Sequence, residues 1–225
     1  MDHPPSSLVL LHGFASSFEH GWQESGWVDI LADFGCAAPR IDLPGHGSSP
    51  PETDPSAYAT AAEDVFAALP QPTDAVGFST GAEILLRIAA AHPNCFDRLV
   101  LLGVGDNLLE PSDPTTLAAA LEGDAEPEDI QARLFYRMAV SSGNDPKSLS
   151  AFLRRPREPL RDEELSMVTC PVLVVLGDRD MTTTADRLVA ALPLATLVSV
   201  PGVDHFATPT DFGVIDATMK FFGFV

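Results

Sequence analysis

Two hydrophobic periodicities alternate along this chain. Short, nearly unbroken runs of Val, Leu, Ile and Ala at 8–11, 37–41, 75–78, 98–103, 172–176 and 196–200 predict strands buried on both faces. Helical spacing of apolar residues fills the intervals at 22–34, 56–69, 81–91, 183–192 and 211–221. Pro93 stops one of these helices. Pro55 and Pro209 fall near the starts of others, where a missing N–H is harmless. Strands alternating with helices predict βαβ units: an α/β chain in three layers, doubly wound around a mainly parallel sheet of about six strands.

One stretch breaks the alternation. Residues 106–166 carry no strand pattern, only helical periods at 117–121, 130–140 and 149–153 between breaks rich in Pro and Asp. That is too long for an ordinary connection and too helical for a disordered linker. It predicts a helical insertion covering one edge of the sheet, with 1–105 and 167–225 forming the core and 106–166 inserted between them.

Composition narrows the picture. A chain of 225 residues, 45% hydrophobic, is enough for one domain with a sizeable core. Lys and Arg number 13 against 32 Asp and Glu, a formal charge of -19. Such a surface repels phosphate backbones and anionic lipid, which argues against nucleic-acid or membrane partners. No basic leader precedes an apolar run, and no apolar segment approaches the ~20 residues of a membrane span. The expectation is a cytoplasmic protein, monomer or homodimer, acting on a small molecule. Cys36, Cys95 and Cys170 are odd in number, widely spaced and set in apolar sequence, so they read as reduced core residues. No metal-ligand spacing and no Gly-rich cofactor fingerprint occurs, and neither metal nor cofactor is expected.

The candidate chemistry centres on Gly77-Phe78-Ser79-Thr80-Gly81. A strand precedes it and a helix follows, the setting of a nucleophile elbow, in which flanking glycines let a serine stand at the apex of a tight turn. Further polar clusters follow other strands: His12-Gly13-Phe14, Asp42-Leu43-Pro44-Gly45-His46-Gly47, Gly177-Asp178-Arg179-Asp180 and Gly202-Val203-Asp204-His205. All lie at carboxyl ends of predicted strands, where open parallel sheets bind their ligands. A serine hydroxyl needs a base to take its proton. Of the six histidines, His3 is terminal, His20 lies in a loop, His92 ends a helix, and His12 and His46 sit in Gly-rich motifs. His205 remains as the base.

With these motifs the chain resembles the α/β-hydrolase family in its small, single-cap form, from Leu8 to near the C-terminus outside the insertion. The family order of nucleophile, acid and histidine implies Ser79, Asp180 and His205. Asp180 is favoured because it matches the family's Gly-x-x-Asp spacing from Gly177. Asp178 and Asp106 are alternatives for the acid, Asp106 because some members draw it from the preceding strand. The family's oxyanion donors map to the backbone N–H groups of Phe14 and Thr80. His12, Gly13, Asp42 and His46 match its loop motifs, with loop bracing favoured over substrate contact. Two family strands ahead of the His-Gly strand have no counterpart here, Thr80 stands where Met or Gln is commoner, and Ala82 where glycine is frequent.

What the resemblance implies is a serine hydrolase cleaving a carboxylic ester through an acyl-enzyme. A carbon–carbon bond or thioester hydrolase with the same residues, and a ligand-binding protein of the same fold, are the alternatives. Leu108, Leu109, Leu117, Leu121, Phe135, Met138, Phe152 and Leu153 of the insertion suit ordinary packing and an apolar pocket wall. Arg154, Arg155, Arg157 and Arg161 form the one local basic cluster. A solvated face balancing Asp162, Glu163 and Glu164 is favoured for it over a role in drawing an anionic substrate.

Overall fold

A computed structural model describes residues 4–123, 130–182 and 184–225. Five strands pair in parallel in the order of the chain: β1 (Leu8–Leu11), β2 (Thr73–Phe78), β3 (Phe96–Leu102), β4 (Val172–Gly177) and β5 (Ala195–Val200). The expected strand at 37–41 is not one. Ala37 makes a single parallel bridge to Ser7 beside β1, through Leu8 N–H to Ala37 O and Ala37 N–H to Ser6 O. Pro39 supplies no N–H and ends the ladder there. The sheet therefore has five strands where about six were expected.

Side chains alternate across the strands, and each face is apolar. Val9, Leu11, Leu99, Leu101, Val172 and Val174 join one buried cluster, while Leu8, Leu10, Val100, Leu102, Leu173 and Val175 join another. The first face is covered by α2 (Ala61–Ala68), α3 (Thr80–Ala91) and α8 (Asp186–Ala191) through Val65, Leu85, Ile88 and Leu188. The second is covered by α1 (Trp27–Asp33) and α9 (Phe212–Phe221) through Trp27, Leu31, Val214 and Met219. This is the three-layer, doubly wound arrangement. Two expected helices begin later than their periodicity: Gly26, at φ 86°, separates the turn at Glu19–Gln23 from α1, and a short turn at Pro55–Tyr58, capped by Asp54, precedes α2. The start expected for α8, Thr183, lies outside the described residues.

Between β3 and β4 stand α4 (Thr115–Leu121), α5 (Ile130–Ser141), α6 (Pro146–Leu153) and the short α7 (Asp162–Leu165). Residues 124–129 of this stretch lie outside the described residues. The segment is fastened to the loop that follows β1 and to the loop at 42–48. The Asn144 amide donates to Ala15 O and Ser16 O and accepts from Gly47 N–H. Ser148 Oγ lies 2.7 Å from the Tyr58 hydroxyl and donates to Gly45 O. Phe152, fully buried, packs its ring against those of Phe14, His46 and Tyr58. The apolar residues expected to pack here do so: Leu108, Leu121 and Phe152 belong to the main core, and Leu109, Leu117, Phe135, Met138 and Leu153 lie against it.

Candidate active site

The turn between β2 and α3 is sharp because its flanking residues have no side chain to obstruct it. A Cβ on Gly77 would come within 2.6 Å of Ala82 N, and one on Gly81 within 2.6 Å of His12 O. Ser79 at the apex adopts φ 51°, ψ -115°, a backbone conformation L-residues occupy only when the surroundings impose it. Its hydroxyl does not cap the helix it precedes. It lies 3.1 Å from His205 Nε2.

His205 is held by two strands at once. It follows β5, and its Nδ1 lies 2.9 and 3.1 Å from the two carboxylate oxygens of Asp180, which follows β4. A carboxylate only accepts, so Nδ1–H donates to it, leaving Nε2 to accept from the Ser79 hydroxyl. Asp180 is buried and its Oδ1 also accepts the Thr182 N–H at 2.8 Å. The other two carboxylates considered for this position are engaged elsewhere. Asp106 Oδ1 accepts from Leu188 N–H in α8, and Asp178 Oδ1 accepts from Gly202 N–H. The imidazole of His205 packs against the Phe78 ring, centroids 4.9 Å apart.

The loop motifs form a buried scaffold. His12 Nδ1 donates to Gly13 O, and its Nε2 accepts from Leu43 N–H. Asp42 accepts from Phe18 N–H and from the N–H and hydroxyl of Ser48. Burial opposes its ionisation, but those N–H and hydroxyl donors hold its carboxyl below the usual range. Phe14 is buried, its ring meeting His46 and Phe135. Gly13 lets this loop close on the elbow, since a Cβ there would meet the Phe78 ring at 2.8 Å.

His46 donates from Nδ1 to Pro44 O, while its buried Nε2 has no hydrogen-bond partner among the described residues. Burial, with His12 beside it, pushes its pKa down to about 3. A histidine neutral when folded and free to protonate when unfolded makes stability rise with pH between those two values. The group should contribute about 1.4 kcal/mol per pH unit near pH 5, falling to about half that at pH 6.5, where the unfolded imidazole is half protonated. Urea titrations at pH 5, 5.75 and 6.5 should give His46→Asn a shallower slope than the unaltered protein; equal slopes would show that His46 is already charged in the fold.

A cavity of about 290 Å³ opens on Ser79 and Thr80 and extends past Val104, Leu108 and Pro159 to Glu83, Arg87, Ser112 and Arg157. Its size is at the small end of ligand sites. Glu83 is the residue that sequence reading missed. It is buried on α3 one turn beyond Ser79, and the available signal was a lone carboxylate in the apolar run Ala82-Glu83-Ile84-Leu85-Leu86. The arginines part company. Arg154 pairs with Glu122 and Arg161 with Glu164 at the surface, whereas Arg155 is buried and Arg157 pairs with Glu83. Arg154 and Arg161 are thus solvated as expected, but only Arg161 pairs with one of the three acids expected to balance the cluster, Glu164.

Burial pushes the thiols of Cys36, Cys95 and Cys170 up to about 11, consistent with core residues. Among the described residues, no group of three or more His, Cys, Asp or Glu is placed to hold a metal ion, and no helix is long and apolar enough to cross a membrane.

Residues 8–214 match the model of the alpha/beta hydrolase family. The chain belongs to that family and is a hydrolase by descent. Among curated relatives, the pimeloyl-[acyl-carrier protein] methyl ester esterase of Nitrosomonas europaea is 27% identical over 88% of both chains. That of Methylococcus capsulatus is 40% identical over 51% of this chain and 43% of its own length. An esterase of Mycobacterium tuberculosis is 30% identical over 63% of this chain and 49% of its own. A solved hydrolase from Pseudomonas aeruginosa superposes with a TM-score of 0.68 at 22% identity, covering 98% of this chain and 90% of that one. A serine hydrolase involved in carbazole degradation gives 0.70 at 22% identity, covering 100% and 93%.

Proposed function

We propose that the protein is a serine hydrolase that cleaves a carboxylic ester of a small or medium, partly apolar substrate through an acyl-enzyme. The observation that carries this reading is the unbroken hydrogen-bonded series from Ser79, which lines the cavity, through His205 to Asp180. Esterase names among the relatives that align with it support the ester bond.

In this reading Ser79 Oγ attacks the ester carbonyl as His205 Nε2 takes its proton. Asp180 holds the tautomer and stabilises the imidazolium that forms. The backbone N–H groups of Phe14 and Thr80 receive the oxyanion, each worth roughly 3 kcal/mol in the transition state, and the N-terminus of α3 lies beneath it with its dipole favouring negative charge. Collapse expels the alcohol, which takes the proton from Nε2–H. Water then attacks the acyl-enzyme, with His205 again the base, and frees the acid. His12, Asp42 and His46 brace the loop that presents Phe14. Residues 106–166 act as a helical cap, bringing Phe135 and Phe152 against the Phe14 side of the site.

Hydrolysis of p-nitrophenyl esters from acetyl to decanoyl tests this. Activity should peak at short acyl chains and fall by about tenfold or more once the chain exceeds what 290 Å³ can hold. No turnover of any ester, with turnover of thioesters or of carbon–carbon bonds flanked by carbonyls, would move the assignment to those reactions.

A further inference from the structure

Three guanidinium groups meet one carboxylate on the wall of the cavity beside Ser79. Glu83 accepts from Arg87 Nε at 3.0 Å and from Arg157 Nη1 at 2.7 Å, and Arg155 Nη2 lies 3.7 Å from the same carboxylate. The side chains of Glu83 and Arg155 are 5% and 4% exposed. The cluster thus carries two positive charges more than it balances, around a buried Glu83–Arg155 centre that water screens little. The neighbouring carboxylates do not make up the difference: Glu110 pairs with Arg187 at the surface, and the Glu158 side chain is exposed.

The excess is felt by its members. Arg155 stacks its guanidinium 3.9 Å from the centre of the Phe152 ring, donates from Nη1 to Phe152 O, and among the described residues leaves its buried Nη2 without a hydrogen-bond partner. Burial, helped by repulsion from Arg157 and Arg87, pushes its pKa down to about 10 despite Glu83. It remains a cation at neutral pH.

Arg87 and Arg157 both line the cavity, and neither has spent its donors. Arg87 gives Nε to Glu83 and Nη2 to Glu158 O. Arg157 gives Nη1 to Glu83 and Nη2 to the Ser112 hydroxyl. A guanidinium has five N–H donors, so about three on each remain for a ligand, in the planar array that suits a carboxylate. Glu83 stands one helical turn from Ser79, about 6 Å along the axis of α3.

We propose that Arg157 and Arg87 form an anion subsite in this cavity, and that the preferred substrate is a small ester bearing a free carboxylate, such as a monoester of a dicarboxylic acid. The inference rests on Ser79 being the nucleophile, because it sets where the ester sits. The carboxylate neutralises the cluster, while Val104 and Leu108, which line the same cavity as Ser79, offer apolar wall to the rest of the substrate.

The test reads binding without turnover. Monomethyl adipate is titrated calorimetrically into Ser79→Ala protein, beside methyl pentanoate as a neutral ester of similar length. The acid should bind at least about tenfold more tightly than the neutral ester, and Arg157→Gln in the Ser79→Ala background should lower that affinity about tenfold or more. Arg154→Gln, at the surface, should leave it unchanged. Equal affinities for the two esters, or an undiminished preference in the Arg157→Gln protein, would overturn the subsite. The comparison of the two esters stands even if Arg157→Gln does not fold. Because the serine is absent throughout, failure of the hydrolase reading would show in turnover assays and not here.

Discussion

Ser79→Ala is expected to lower kcat toward p-nitrophenyl butyrate by roughly 10⁴-fold or more, with KM changed by less than about threefold. The size follows from what is removed. Without Oγ there is no acyl-enzyme, and His205 Nε2, 3.1 Å from that oxygen, is left with only water to activate. The residual rate would come from oxyanion donors and binding alone. Alanine fits the same turn, and the hydroxyl makes no capping bond, so the thermal midpoint should move by no more than about 4 °C. A variant that keeps its activity would remove Ser79 from the reaction.

The second large effect belongs to Asp180→Asn. The asparagine fits the space, but its amide can offer N–H to His205 Nδ1, which then presents a lone pair and carries its proton on Nε2. That nitrogen can no longer accept from Ser79. A fall in kcat of about 10⁴-fold is expected at neutral pH. Asp106→Asn and Asp178→Asn should each stay within about fivefold of the unaltered protein. Their carboxylates accept from Leu188 N–H and Gly202 N–H, bonds that an amide oxygen can also receive. Kinetics of the three variants side by side separate the acid from its neighbours; full activity in Asp180→Asn would assign the role elsewhere.

Much of this arrangement is written locally. The strands β1 and β4 are continuous apolar runs, β2 and β3 become so from Ala75 and Leu99 onward, and the elbow needs only its glycines and the strand and helix around it. Ser79 and His205 were legible because each follows a strand at the same edge, whereas Asp178 and Asp106 do so as well, and only the family's Gly-x-x-Asp spacing favoured Asp180 over them. The strand expected at 37–41 failed for a local reason outweighed in the pattern: Pro39 interrupts the ladder among residues whose hydrophobicity alone suits a strand. The arginines could not be sorted in advance. Arg154 and Arg155 are adjacent, yet one faces solvent beside Glu122 and the other is buried over Phe152. Glu83 was hidden for the same reason, since its partners Arg155 and Arg157 come from more than 70 positions away in the chain. Charge pairs across the fold depend on packing between elements, which no local period records.

The proposed reaction turns on Ser79, activated by His205, forming a covalent intermediate. The most direct measurement is intact-mass analysis and peptide mapping after brief exposure to a fluorophosphonate at neutral pH. One adduct is expected, on the peptide containing Ser79, with labelling of His205→Gln slower by at least about a hundredfold. No adduct at Ser79, or undiminished labelling in His205→Gln, would contradict it.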